Sequence, residues 1–365
     1  MEPTGAQGLF QPRTPPMAAD DPVVQWLLEG DPAIRWQVLR DLLDADEIEV
    51  ATERARVEHE GWGARLLALR APDGLWANGA CFPDTAEFAA ATAQALAAGE
   101  PPPPWPSPDA ETPEAATDGS GGEPGQPWTA TYRVLLDLCD LGVPADSPVM
   151  QETARLVART CRWECDGLPF FAGEEDCCIN AGTVLIGTYV GVDVDPVVQR
   201  LVADQMPDGG WNCWAETRPA PSSFASTLDV VDSLLRWERG TGGSEEVRQA
   251  RRNGEEYLLR RSLFRSLRTG EVVNPQWERF SHPPRWHYDL LKATEYFARR
   301  GGRPDPRLAE AIERVRARRR PDGRWVLENT HPGAVHFRFE EPDGTPSRWN
   351  TLRALRVLRW YDAPA

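Results

Sequence analysis

Asp204-Gln205-Met206-Pro207-Asp208-Gly209-Gly210-Trp211-Asn212 decides the fold, because its centre recurs along the chain. Pro-Asp-Gly-x-Trp appears as Pro72-Asp73-Gly74-Leu75-Trp76, as Pro207 to Trp211, and as Pro321-Asp322-Gly323-Arg324-Trp325, with an eroded copy at Cys165-Asp166-Gly167. Each full copy follows apolar residues at helical spacing, such as Ala64 to Leu69 or Val197-Val198 followed by Leu201-Val202. Pro and Gly end a helix and Asp suits the turn, so each copy marks the end of one helix and the return of the chain.

A second feature opens the helices between those turns. Arg35-Trp36, Arg285-Trp286 and Arg348-Trp349 begin three of them, and Thr129-Ala130-Thr131, Cys178-Ile179-Asn180 and Ser222-Ser223-Phe224 begin three more. Only the gap between Trp36 and Trp128 is out of line. Its excess is a Pro/Gly-rich segment at about 100–127, which buries too little apolar surface to offset its ordering entropy and reads as a disordered insertion. Six inner helices alternating with outer ones give an all-α fold, an (α/α)6 toroid, expected as a single domain over 23–365. An open superhelical solenoid of the same hairpins is the competing architecture.

The 56 acidic against 40 basic residues, net -16, argue against nucleic acid and anionic membrane surfaces as partners. No apolar run spans a bilayer, and residues 1–22 have neither a basic start nor an apolar middle. They read as a disordered tail on a cytoplasmic protein without a transmembrane segment. Seven cysteines without an export signal are expected to be free thiols.

At the turn motif the chain resembles the terpenoid cyclase and protein prenyltransferase superfamily, in particular its squalene-cyclase-like repeat, over about residues 30–360. That repeat places Gln, an acid, Gly and Trp after an outer helix, as Gln205 to Trp211 do; Arg70 and Arg319 replace the Gln at the other copies. The resemblance implies a small apolar or isoprenoid ligand in a central cavity, and terpenoid cyclisation or prenyl transfer if the protein is an enzyme. The Asp-x-Asp-Asp acid of the cyclases is missing. Asp44-Ala45-Asp46-Glu47 and Asp193-Val194-Asp195-Pro196 sit after inner helices, and they read as a solvated helix end and as an N-cap at Asp195. Protein prenyltransferases hold zinc with Asp and Cys at one inner helix and His at a later one. On that pattern Asp176, Cys178, Cys213 and His287 form the candidate zinc set, with Asp176 and His287 also candidate catalytic groups.

Arg285, Asp289, Arg348 and Asn350 fall in what read as first turns of inner helices, where they could meet an anionic group such as a diphosphate. The alternative is that Arg285 and Arg348 pair with turn acids such as Asp208 and Asp322. Trp214, beside Cys213, is a further ligand-contact candidate, since aromatic faces suit a polyprenyl chain and its carbocations. Residues 328–348 read as a lid over one mouth. A nucleophilic triad is not visible. Two other readings stay open: a non-catalytic binding or scaffold protein, and a carbohydrate-active (α/α)6 enzyme using Asp176 and Asp289 across the cavity.

Overall fold

The computed structural model describes residues 15–81, 128–164, 167–213 and 221–363. The insertion at about 100–127, Trp214, most of the N-terminal tail and part of the eroded fourth turn lie outside the described residues.

Inner helices are α2 (Pro32–Asp41), α5 (Thr131–Leu141), α7 (Cys177–Val190), α9 (Phe224–Thr241), α11 (Leu290–Arg300) and α13 (Arg348–Tyr361). Around them run α1 (Pro22–Leu28), α3 (Glu47–Ala55), α4 (Gly61–Ala68), α6 (Pro148–Thr160), α8 (Asp195–Ala203), α10 (Glu245–Arg260) and α12 (Ala309–Ala317). Among the described residues the only extended pairing is isolated bridges. Consecutive inner helices from α5 to α13 touch, and α13 packs on α2. The remaining gap closes through the Trp36 indole, which donates to the Leu141 carbonyl at 2.9 Å. The arrangement is an all-α toroid.

The repeated turn builds this ring. Pro72-Asp73, Pro207-Asp208 and Pro321-Asp322 occupy the middle of tight turns closed by Gly74, Gly209 and Gly323 donating to Ala71, Met206 and Arg320. The three glycines have φ of 83°, 96° and 84°, the left-handed region where a side chain is strained. The tryptophan that follows is buried, and its indole reaches back to the outer helix just left. Trp76, Trp211 and Trp325 donate to Leu66, Leu201 and Val315 at 2.9, 2.7 and 2.8 Å. A threonine of the next inner helix then clips each tryptophan backbone. Thr131 Oγ1 donates to the Trp76 carbonyl at 2.6 Å, while Thr227 and Thr351 accept from Trp211 and Trp325 N–H at 3.0 Å. Gln205 adds a third tie, donating to Gly209 and to Ala250 on α10. Arg70 makes the corresponding reach to Thr153 on α6, and Arg319 turns back to Gly323.

Helix starts differ from expectation at two of the three Arg-Trp pairs. Arg35-Trp36 lies inside α2, which Asp31 caps by accepting from Ala33 N–H and which Pro32 opens. Arg285-Trp286 precedes α11, whose cap is Asp289, accepting from Lys292 N–H at 2.7 Å. Only Arg348 opens its helix. Asp195 is also not the capping group expected of it: its carboxylate accepts the Trp237 indole at 2.9 Å.

Candidate functional site

Three cysteines and an aspartate meet where α7 begins. Glu174 N–H donates to Asn180 Oδ1 and Asn180 Nδ2 returns a bond to the Glu174 carbonyl, which folds the approach loop back on the helix. Gly173 allows this, because a Cβ there would stand 2.4 Å from Asn180 Oδ1 and φ is 79°. Asp176 then occupies the N-cap position and Cys177 and Cys178 the first turn. Cys213, carried in by the arm after Trp211, brings its Sγ to 3.0 Å from Cys178 Sγ and 3.6 Å from Cys177 Sγ. Asp176, Cys178 and Cys213 offer ligand atoms all within 4.8 Å of one another, so this cluster could hold a metal ion.

The electrostatics are those of acids competing for protons. Hydrogen bonding with Cys177 and Cys178 holds Cys213 well below the usual thiol range, while the same bonds and burial push those two up. Burial, then the negative Cys213, raises the Asp176 carboxyl to about 9. A divalent cation would relieve this crowding. Two thiolates and a carboxylate suit zinc, whose sulfur ligands at roughly 2.3 Å in a tetrahedron stand about 3.8 Å apart. The Cys177–Cys213 separation is close to that already, and Cys178 would need to draw back slightly.

Among the described residues His287 is not in this cluster. Instead its ring stacks on His331 at 3.6 Å between centroids and on Trp286 at 3.9 Å. Burial lowers His287 to about 2 and His331 to about 3, so both rings are neutral. His331 belongs to the polar segment expected as a lid, and the Trp128 indole holds that segment by donating to the Pro332 carbonyl at 2.8 Å.

The other candidates disperse. Asp289, offered as a catalytic carboxylate, has Oδ1 committed to Lys292 N–H and Oδ2 to the Ser281 N–H and hydroxyl. It is a buried helix cap, which removes the partner that a carbohydrate-active reading gave Asp176. Asn350 is fully buried and donates to the Phe280 and Val326 carbonyls, a structural role. Arg348 donates to the Trp26 carbonyl and lines a side recess of about 280 Å³ with Trp62, Arg65, Phe339 and Glu340. Arg285 pairs with no turn acid: its guanidinium bonds both oxygens of Asp137 on α5 at 2.8 Å. Asp208, the acid expected opposite it, is bound to Ser222 instead.

Sequence reasoning missed Cys177 and, Arg285 apart, the charges inside the ring. Arg285 and Arg133 flank Trp128, and Lys292 bonds Asp229 at 2.7 Å and the Arg285 and His287 carbonyls. Toward the other end, Asp232 takes Arg299 and Arg236, while Glu295 takes Arg353 and Arg356. Arg236 on α9 comes within 3.9 Å of Asp140 on α5, two inner helices away. The only visible signal was a carboxylate within an apolar helix, as Asp137 is in Tyr132 to Leu141.

No protein-family model matches the chain, and no curated protein matches it. Among the solved structures that match, a type II terpene cyclase MstE from Scytonema (apo) aligns over 84% of this chain and 97% of its own at 13% identity and a TM-score of 0.25. Likeness at that level says nothing of ligand or reaction. No described helix is long and apolar enough to cross a membrane.

Proposed function

We propose that the toroid is a zinc-dependent enzyme for a ligand with an anionic head and an apolar, isoprenoid-like tail, acting by prenyl transfer or terpenoid modification. The observation that carries this is the meeting of Asp176 and Cys178 with Cys213, which comes from a separate repeat, at 3.0 Å between sulfurs. Bound there, zinc would hold a thiol or water in its ionised form as a nucleophile. Asp176, Cys178 and Cys213 supply the ligands, and Cys177 is poised as a fourth. Arg285 and Lys292 at this end of the ring, already bonded to Asp137 and Asp229, are the cationic groups an anionic head would approach. Trp128 and Tyr132 are buried against Arg133 and Arg285 and stiffen this end of the ring rather than face a ligand.

Metal analysis of protein purified without an affinity tag tests the site. About one zinc per chain is expected, with loss in Cys213→Ser; less than about 0.2 in the unaltered protein overturns the proposal. Thermal shift against polyprenyl diphosphates, free polyprenols and inorganic diphosphate then tests the ligand. Stabilisation by the diphosphate esters above both fragments is expected. Stabilisation without turnover identifies a non-catalytic binding protein on the same fold.

A further inference from the structure

The cysteine cluster has one sulfur too many for a simple three-ligand site, and its spacing suits a second chemistry. Cys213 Sγ faces Cys178 Sγ at 3.0 Å and Cys177 Sγ at 3.6 Å. Cys178 and Cys213 are partly exposed, whereas Cys177 is 5% exposed. Side-chain rotation closes 3.0 Å to a bond of about 2.05 Å far more easily than backbone movement would. The arm carrying Cys213 leaves Trp211 only two residues earlier, and Trp211 is fixed by its indole and by Thr227. Cys178 is likewise fixed in the first turn of α7. Cys178 is therefore presented from a helix, and Cys213 from two residues after an anchored tryptophan.

We propose that Cys178 and Cys213 form a reversible disulfide that switches off metal binding at this site, with a low-molecular-weight disulfide as the oxidant. The inference rests on the zinc reading for its effect and on the sulfur geometry alone for its chemistry. Cys213 attacks one sulfur of the small disulfide, giving a mixed disulfide and releasing one small thiol. Cys178 then attacks Cys213 Sγ and releases the second. In sum, two cysteine thiols and one small disulfide become one protein disulfide and two small thiols. From a metal-bound form, two protons would be taken up by the departing thiolates, and the divalent ion, left with at most Asp176 and Cys177, would be released. Cys177, 3.6 Å from the same Cys213 sulfur, is the alternative partner. It cannot bond Cys213 while Cys178 does, and it stays as a thiol that can reopen the bridge by exchange.

The test uses the full chain, metal-free or zinc-loaded, with oxidised glutathione. Non-reducing peptide mapping of the metal-free protein is expected to link Cys178 to Cys213, and Cys177→Ser to preserve that link. Cys178→Ser is expected to shift it to Cys177. With zinc loaded, closure is expected about tenfold or more slower, and each bridge formed should release one zinc to a chromophoric chelator. A chain that binds zinc but forms neither bridge overturns the switch and leaves the zinc reading standing. A chain that forms the bridge but never binds zinc overturns the zinc reading and, with it, the gating. Closure at equal rates with and without zinc overturns the coupling alone.

Discussion

The Arg356 guanidinium on α13 lies 2.6 Å from the Asp41 carboxylate on α2, and this buried pair joins the last inner helix to the first. Burial pushes the Asp41 acid up, and Arg356 with Arg40 more than reverses it, so the group is ionised. Gln37 takes the same guanidinium at 2.6 Å, and Arg359 reaches the Asp41 carbonyl and the Asp44 carboxylate. Removing one member of such a buried pair strands the other. Asp41→Ala is expected to cost about 3–5 kcal/mol in urea unfolding, and the pair Asp41→Ala with Arg356→Met to cost less than the single change.

The tryptophan clip predicts a second, smaller effect that should repeat around the ring. Trp211→Phe removes the donor to Leu201, and Thr227→Val strands the Trp211 N–H; each is expected to lose about 1–3 kcal/mol. The matching changes at Trp325 and Thr351 should fall in the same range by denaturant midpoint. A null result at one repeat and a large one at the other would mean that the turns are not equivalent.

Gly182 on α7 lies against Tyr132 on α5, and a Cβ there would stand 1.9 Å from the tyrosine oxygen. Tyr132 is fully buried, and its hydroxyl donates to the Ile179 carbonyl at 3.3 Å. Gly182→Ala is therefore expected to destabilise by about 1–3 kcal/mol. In a Tyr132→Phe background the same change should cost less, since the nearest atom is gone and only the ring carbons at 2.7 and 2.9 Å remain; equal costs in both backgrounds would contradict the contact with the oxygen.

Acid sensitivity should begin with histidines. His282 is held well below its ordinary 6.5 by burial first, and His287 and His331 lie at about 2 and about 3. The folded protein thus refuses protons that the unfolded chain accepts below about 6.5. Stability is whole above that pH and falls steadily below it, down to about 3 for His331 and about 2 for His287, each histidine contributing up to ~1.4 kcal/mol per pH unit. Urea midpoints at pH 7.5, 6 and 5 read this directly. His287→Asn should flatten the slope, and an unchanged slope would show that the imidazole is protonated in the folded state.

The sequence carried the turns because Pro, Asp and Gly dictate backbone geometry locally, and the tryptophan after them has one place to go. Helix order followed from those marks. The start of α11 was misjudged because Arg285-Trp286 repeated a pattern that served elsewhere, while Asp289 was the residue able to cap. Pairings such as Arg285 with Asp137 were not legible, since nothing near Arg285 in the chain specifies a partner on α5. Asp176, Cys178 and Cys213 could be named from their positions at repeat boundaries, but their convergence depends on how two repeats stack. Cys177 was passed over because a neighbour on a helix points elsewhere unless a third sulfur sits between the two directions, as Cys213 does.

Ring closure also sets an order of events during synthesis. Asp41 and Glu295 are translated before α13, whose Arg353 and Arg356 are their buried partners. Until that helix emerges, the growing chain is an open arc whose acids Asp41 and Glu295 have only their own-helix partners Arg40 and Arg299. Ring closure is thus the insertion of a cationic helix into an acidic gap. High salt should slow that step in a cell-free translation and leave the earlier hairpins unaffected.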